Sequence, residues 1–155
     1  MKEYRIGRRE FLLAATALAI APAARAEEEP PIHVVKGRGC DCCDAWVDYL
    51  REQRFTVTDE VSMGTLLIRF KMDQGIPAKA FSCHTGTVDG YALEGHVPAE
   101  QVLALSKRDD LLGVAAPGMP MGSPGMEMDG MSDAYQVIGL KKDGTDVVVA
   151  DYPAH

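Results

Sequence analysis

Apolar side chains recur at helical spacing in two segments of the chain. We expect a helix over residues 42–53, because four apolar side chains share one face of it. These are Cys43, Trp46, Val47 and Leu50. A second helix is predicted from a cap at Ser62 to about Asp73. Its inward side chains are expected to be Leu66, Leu67 and Phe70.

Short runs rich in β-branched and aromatic residues predict strands around these helices. The predicted strands are residues 32–35, 55–58, 78–83, 91–97, 134–140 and 146–150. A third helix is expected over residues 98–105, because Pro98 suits the first helical position. The last two strands are joined by the turn Lys142-Asp143-Gly144, which predicts a β-hairpin.

The order of the first seven elements resembles the thioredoxin fold. A cysteine motif opens the first helix, and Gly75-Ile76-Pro77 precedes the third strand. The resemblance implies that Pro77 is cis and faces the cysteines. Residues 115–132 contain glycine and proline throughout, which excludes a regular element. We therefore expect an α/β chain with a thioredoxin-like fold, a C-terminal Met-rich loop and an extra β-hairpin.

The first 26 residues have the pattern of an export signal. Arg8-Arg9-Glu10-Phe11-Leu12 is a twin-arginine pattern, and Ala24-Arg25-Ala26 is a small-x-small cleavage site. The apolar run between them is shorter than the ~20 residues that span a bilayer. We expect a signal peptide over residues 1–26 and a periplasmic domain over residues 27–155, with no membrane span after cleavage. Export by the Sec route and an uncleaved anchor are the alternatives.

The charge of the exported part excludes one class of partner. Cleavage after Ala26 shortens the chain from 155 to 129 residues, enough for one domain. It removes five of 16 basic and two of 23 acidic residues, so a net charge of −10 remains. Such an acidic chain does not suit nucleic acid, whose phosphates need Lys and Arg. The chain also lacks a phosphate-binding glycine loop, a dinucleotide fingerprint and a Ser-His-Asp context.

Three of the four cysteines fall within Cys40-Asp41-Cys42-Cys43, and the fourth is Cys83. Free thiols in an oxidising periplasm need a reason to persist. A helix N-terminus favours the thiolate, and clustered thiolates are ligands for a soft metal, above all Cu(I). The motif suits zinc less well, because the paired Cys-x-x-Cys knuckles of structural zinc sites are missing. The alternative is a redox disulfide, since Cys40 and Cys43 have Cys-x-x-Cys spacing.

Cys83 and His84 are adjacent, and adjacent side chains of a strand point to opposite faces. They can reach one ion only where the strand ends. If Pro77 abuts the cysteine loop, Cys83 lies roughly 20 Å along the strand, at ~3.3 Å per residue. Either Cys83 joins the cluster and the third strand starts later, or it is a separate buried thiol; we favour the first. His96, at the end of the fourth strand, would lie beside the cysteine loop.

Five methionines occur in the glycine- and proline-rich loop. Such a loop cannot bury all of them, and exposed thioethers are soft ligands that suit Cu(I). Met119 and Met126, each preceded by Pro-Gly, are the best placed to be held rigidly. The alternative is a loop laid over the core, with one or two methionines filling gaps. The remaining methionines of the loop are Met121, Met128 and Met131.

Together these motifs resemble the CopG family of exported bacterial copper-resistance proteins. The matching segments are residues 40–43 with Trp46, 75–77, 82–85, 88–91, 94–98, 117–120 and 122–126. The resemblance covers nearly all of the exported part. It implies a thioredoxin-like fold, a cysteine-bridged cluster of several copper ions, and interconversion of Cu(I) and Cu(II), the activity of a copper oxidoreductase. Met121, Met128 and Met131 lie outside the matching motifs.

The sequence thus predicts a periplasmic protein that holds several copper ions for copper resistance or homeostasis. The predicted ligands are Cys40, Cys42, Cys43, Cys83, His84, His96, Met119 and Met126. Two other hypotheses stay open. One is a thiol-disulfide oxidoreductase of thioredoxin type, and the other is a passive carrier that delivers copper to an exporter. Redox chemistry would require a periplasmic redox partner.

Overall fold

One mixed sheet organises the part of the chain that the structure, a computed structural model, describes, residues 30–154. The predicted signal peptide, residues 1–26, and His155 lie outside the described residues. The strands are β1 (Ile32–Lys36), β2 (Val57–Val61), β3 (His84–Val88), β4 (Tyr91–Gly95), β5 (Leu111–Ala116), β6 (Tyr135–Lys141) and β7 (Asp146–Tyr152). The helices are α1 (Asp41–Glu52), α2 (Thr65–Asp73) and α3 (Ala99–Ala104), with 3₁₀ turns at Ala78–Ala80 and Leu105–Lys107.

The strand order across the sheet is β2-β1-β3-β4-β5-β6-β7. β1 runs parallel to β2, and β4 runs parallel to β5, whereas the other neighbouring pairs are antiparallel. Each parallel pair is joined through a helix, α1 or α3, because parallel strands need a crossover connection. The predicted C-terminal hairpin is confirmed as β6 and β7.

Hydrophobic side chains cover both faces of this sheet. On one face, α1 and α3 pack against β1, β4 and β5. The four side chains predicted to face inward from the first helix are all buried: Cys43, Trp46, Val47 and Leu50. On the other face a smaller cluster consists of Ile76, Ala80, Ala92, Ala115 and Leu140. Within residues 30–154, no helix combines the length and apolarity needed to cross a membrane.

The third strand is later than predicted. Residues 78–83 are not a strand; a 3₁₀ turn occupies Ala78–Ala80, and β3 begins only at His84. The turn buries Ala80 beneath the sheet, so the chain joins the sheet after Cys83. Strand β5 was not predicted either, because its run of small and apolar residues is buried almost throughout and lacks alternation.

Pro77 does not lie where the thioredoxin resemblance places it. The described residues contain no cis peptide bond. Pro77 lines a recess with Leu112 and Lys142, beside the turn between β6 and β7. That turn follows Lys141, which pairs with Leu111 at the start of β5, whereas the cysteines lie near the end of β5. The late start of β3 places the cysteines and Pro77 at opposite ends of the sheet.

Helix α2 presents a different face to the core than its apolar pattern suggests. Its N-cap is Gly64 rather than Ser62, and Leu66 is 64% exposed. Leu67 and Lys71, four residues apart on one side of the helix, are the buried residues. A lysine that packs inward needs a buried partner for its charge. For Lys71 this partner is Glu94, behind the cysteines.

Candidate metal centre

Several strand ends meet at one end of the sheet. β1 and β4 finish there and β3 begins there, since Lys36 pairs with His84 and Thr85 pairs with Glu94. The cysteine motif follows β1 and opens α1. The loop of residues 117–134 leaves β5 at this end. The topology therefore brings the predicted cysteine and histidine ligands together from segments far apart in sequence.

The first turn of α1 positions three of the cysteines. Cys40 is its N-cap, and the Cys40 carbonyl accepts hydrogen bonds from the backbone N–H groups of Cys43 and Asp44, at 3.0 and 3.2 Å. Cys40 and Cys43 are joined by a disulfide, with their Cα atoms 5.3 Å apart. Cys42 and Cys83 are free thiols and are partly exposed. In this oxidation state the cluster therefore offers two thiols rather than the four expected from sequence.

The fourth cysteine lies close to the other three. Cys83 Sγ is 3.9 Å from Cys42 Sγ, which is 3.6 Å from Cys40 Sγ. The four sulfur atoms all lie within 4.8 Å of one another. The late start of β3 makes this possible, because Cys83 precedes the strand instead of ending it. Of the two placements that the sequence left open for Cys83, the structure has the one inside the cluster.

His84 directs one ring nitrogen at Cys83. Its Nδ1 lies 3.4 Å from Cys83 Sγ, and its Nε2 lies 3.0 Å from the Gly95 carbonyl oxygen. A carbonyl can only accept, so Nε2 carries the hydrogen and Nδ1 presents a lone pair. Burial, with smaller contributions from His96 and Lys71, lowers the pKa of His84 to about 3. The imidazole is therefore neutral at physiological pH, the form that binds metal.

His96 approaches the same sulfur, and its ring lies edge-on to that of His84 with the ring centroids 5.0 Å apart. Its Nδ1 donates to the Pro124 carbonyl over 2.7 Å, and its Nε2 lies 3.5 Å from Cys83 Sγ. The side chain is fully buried, and this burial lowers the pKa of His96. Backbone carbonyls thus orient both imidazoles, as outer-shell hydrogen bonds do in metal sites.

The Cys83 thiol differs electrostatically from a thiol at a helix terminus. Burial, followed by the charge of Cys42, raises its pKa to about 11. The proton is therefore retained at neutral pH in the metal-free protein, between two nitrogen lone pairs. The predicted stabilisation of thiolates by α1 does not extend to Cys83, which lies outside that helix. A metal ion would displace this proton on binding.

A buried ion pair, which the sequence pattern did not predict, lies behind the cluster. Lys71 Nζ donates to Glu94 Oε1 at 2.6 Å, and both residues are at most 2% exposed. Lys71 also donates to the His84 carbonyl and to Thr85 Oγ1, and Glu94 accepts from the Ser82 backbone N–H. These bonds hold the residues on both sides of Cys83. The available signal was Lys71 itself, four residues from inward-facing Leu67.

The methionine loop is attached to the site through its backbone. Ser82 Oγ donates to the Gly118 carbonyl at 2.7 Å, and the Pro124 carbonyl holds His96. Gly125 packs so tightly that an added Cβ would lie 3.0 Å from the Cys42 carbonyl oxygen. The two anchored glycines immediately precede Met119 and Met126, the predicted ligands.

The methionine side chains differ in exposure. Met119 is 55% exposed and lines an open groove with Tyr135 and Ile138, whereas Met126 is half-buried. Met128 and Met131, the partners in an isolated bridge, are about half exposed, and Met121 is half-buried. The structure therefore brings the four cysteines and two histidines together, and it places the backbone of the two predicted methionines beside them.

Comparisons with known proteins connect this site to a described family. A family model described as DUF411, a protein of unknown function, matches residues 80–126, which contain Cys83, His84 and His96. No curated protein matches the chain.

Two solved structures resemble most of the chain. The first, "Copper resistance protein copG- Form 1", is 47% identical, with 81% of this chain and 99% of that chain covered and a TM-score of 0.77. The second, "Copper resistance protein copG- Form 2", is 46% identical, with 81% and 100% covered and a TM-score of 0.78. At this identity and coverage, the chain belongs to the CopG family.

Proposed function

We propose that this protein binds copper as its cargo, several ions per chain, at the sulfur cluster. One observation carries the proposal: four cysteine sulfurs within 4.8 Å of one another, with two imidazole lone pairs directed at Cys83. Thiolates select Cu(I), and imidazoles suit copper in both of its common oxidation states. The related structures are named as copper resistance proteins, which supports the same cargo.

The proposed ligands include side chains of three chemical types. Thiolates come from the cysteine cluster and imidazoles from His84 and His96. Met119 and Met126 are proposed to complete the site as thioethers, because the glycine before each is anchored against it. Cys83 contacts Cys42 and both imidazoles, so it is the sulfur best placed to bridge two ions.

The fold and location are part of the same proposal. The order β2-β1-β3-β4, with β3 antiparallel to its neighbours, supports a thioredoxin-like arrangement in which the cysteines open α1. Residues 1–26 are proposed to be a twin-arginine signal peptide and residues 27–155 the periplasmic copper-binding domain. Export of a folded chain would allow the cluster to be assembled before it meets the oxidising periplasm.

Metal analysis tests the cargo. The chain is reduced, freed of reductant and titrated anaerobically with Cu(I). We expect more than one copper per chain, held against a chromogenic Cu(I) chelator. Retention of zinc in preference to copper would contradict the proposal.

The role of the bound copper has two forms, redox conversion and passive delivery to an exporter. We favour redox conversion between Cu(I) and Cu(II), because imidazoles accompany the thiolates. Oxidation of the loaded protein in air should then generate a protein-bound Cu(II) signal in electron paramagnetic resonance. Loss of copper without that signal would favour the passive carrier.

A second candidate function is supported by the Cys40–Cys43 disulfide. A disulfide at the start of a helix suits a thiol-disulfide oxidoreductase. Insulin reduction by the metal-free protein tests this function, with thioredoxin as the positive control. Activity near that of the control would favour it over copper binding.

A further inference from the structure

The cysteine cluster contains two chemically different pairs. Cys40 and Cys43 lie one turn apart on the same helix and are oxidised to a disulfide. Cys42 and Cys83 lie 41 residues apart on different segments and remain thiols. Both imidazoles face Cys83, at 3.4 and 3.5 Å. The sulfurs are close enough for electrons to pass between the disulfide pair and ions held by the thiol pair.

We propose that the Cys40–Cys43 dithiol is the electron donor that reduces Cu(II) to Cu(I) at this site. This inference rests on the proposed copper binding and names the electron source for it. In the step, Cys40 and Cys43 lose two protons and two electrons and form one S–S bond. Two Cu(II) ions each accept one electron. The oxidant is Cu(II) itself, so the step requires no other reactant.

With the disulfide formed, the remaining free sulfurs and imidazoles are the groups that would bind the Cu(I) products. The free Cys42 and Cys83 sulfurs, 3.9 Å apart, are still accompanied by the lone pairs of His84 and His96. This set of two sulfurs and two nitrogens is soft and suits Cu(I). Oxidation of the first pair therefore removes two ligands without dismantling the rest of the site.

Burial explains why the Cys40–Cys43 pair is the one that is oxidised. Cys43 has no exposed surface, so its sulfur is shielded from external thiols. Its partner Cys40 lies at the N-cap, and their Cα atoms are already 5.3 Å apart, within the range that a disulfide needs. Formation of the bond needs little movement of α1. A Cys42–Cys83 bond would instead consume the sulfur that both imidazoles face.

The test is a single turnover of the full chain. The protein is reduced to four thiols, freed of reductant and mixed anaerobically with two equivalents of Cu(II) sulfate. We expect the Cu(II) paramagnetic signal to disappear and two Cu(I) per chain to be found by a chromogenic chelator. After denaturation and copper removal, the thiol count should fall from four to two. Peptide mapping should place the new bond between Cys40 and Cys43.

Two double variants divide the roles of the sulfur pairs. Cys40→Ser with Cys43→Ser should leave most of the Cu(II) signal in place and form no disulfide within the chain, although it should bind fewer Cu(I) ions than the wild type when Cu(I) is supplied directly. Cys42→Ser with Cys83→Ser should reduce Cu(II) in the same two-to-one ratio but release the Cu(I) to the chelator. Mapping of the wild-type bond needs neither variant to fold.

The outcomes separate this inference from the proposed function. A bond mapped to Cys42–Cys83, bonds between chains on a non-reducing gel, or a persistent Cu(II) signal would overturn it. If Cu(I) supplied directly still binds in any of these cases, the copper-binding proposal stands. If the reduced wild type binds no Cu(I) at all, copper binding fails independently of the electron donor.

Discussion

Cys83 is the residue at which the two parts of the site meet. Its sulfur contacts Cys42 from the α1 side and the ring nitrogens of His84 and His96 from the sheet side. Its raised pKa shows that the metal-free environment favours the protonated thiol. A cation that replaces this proton would gain a thiolate and two neutral imidazoles at once.

Cys83→Ser is therefore expected to weaken copper binding strongly. Removal of the thiolate proposed to bridge two ions should reduce Cu(I) affinity at least tenfold, or about 1.4 kcal/mol. Met119→Leu with Met126→Leu should have a smaller effect, because thioethers carry no charge. Leucine also preserves size and apolarity, so the fold should survive, at a cost below about 1.5 kcal/mol for each substitution. Competition with a chromogenic chelator measures both, and equal affinities for the two variants would contradict this ranking.

The buried histidine predicts how stability depends on pH. The pKa of His84 is about 3 in the folded protein, below its ordinary value of 6.5. Between those values the unfolded chain binds a proton that the folded chain does not, so the free energy of unfolding falls as the pH drops. The stability that comes from burying the neutral imidazole is fully present above pH 6.5.

Urea unfolding of the metal-free protein at several pH values tests this dependence. His84→Gln should lose less stability than the wild type as the pH falls from about 6.5 towards 4. His33→Gln, at a half-exposed histidine on β1, is the matched control. If the free energy of unfolding fell equally steeply with decreasing pH in the wild type and in His84→Gln, the buried imidazole would be ruled out as a source of acid sensitivity.

At the scale of elements, the loop of residues 117–134 closes the site. It contributes the carbonyl that orients His96, and it is hydrogen-bonded through Gly118 to Ser82. Gly125 allows it to lie against the first turns of α1, with a φ of +81° that favours glycine. The loop is therefore a structural part of the site as well as a source of methionines.

Gly125→Ala should displace the loop. The added Cβ would lie 2.7 Å from the Trp46 backbone nitrogen, too close for any contact. Gly130→Ala is the matched control, because Gly130 also has positive φ but has open space around it. Both variants bear the strain of positive φ, about 1–3 kcal/mol, but only Gly125→Ala should also speed the transfer of Cu(I) to a chelator. Equal transfer rates would show that loop contact is not needed to retain copper.

The Lys71–Glu94 pair joins α2 to β4 behind the cysteines. Lys71→Met would leave the fully buried Glu94 without its cation, and we expect the free energy of unfolding to fall by about 3–5 kcal/mol. Lys79→Met, which breaks the more exposed pair with Asp146, should cost less than about 1 kcal/mol. Chemical denaturation compares the two variants. Similar losses in the free energy of unfolding would show that burial does not determine how strongly an ion pair stabilises the fold.

For the whole molecule, the sheet brings together at one end residues that are far apart in sequence. The long hairpin of β6 and β7 extends the sheet on the side away from β2, and the turn that joins its strands lies at the opposite end from the cysteines. Both hydrophobic clusters sit between the sheet and the elements that cover its two faces. Under the proposed twin-arginine route, the whole of this fold would form before export.

Export is therefore expected to depend on the arginine pair. Arg8→Lys with Arg9→Lys should leave the precursor in the cytoplasm, whereas the wild-type chain should appear in the periplasm with Glu27 as its first residue. Fractionation and mass measurement of the intact protein test this, and Lys2→Ala is the control within the same segment. Unchanged export of the double variant would favour the Sec route.

Local features of the chain were readable without a structure. The buried face of α1 follows from side chains three and four residues apart, and the hairpin follows from a turn flanked by apolar strands. The cysteine cluster was visible because Cys40, Cys42 and Cys43 are held close by the covalent chain. In each case the interacting residues are near in sequence, so spacing alone carries the information.

The tertiary structure decided the features that depend on distant partners. Cys83 reaches the cluster only because β3 begins after it, and the nitrogens that face it are set by carbonyls 11 and 28 residues from the histidines concerned. Lys71 and Glu94 pair across 23 residues, through packing that an amphipathic pattern does not encode. These contacts are chosen by burial and strand register, which arise only when the whole chain has folded.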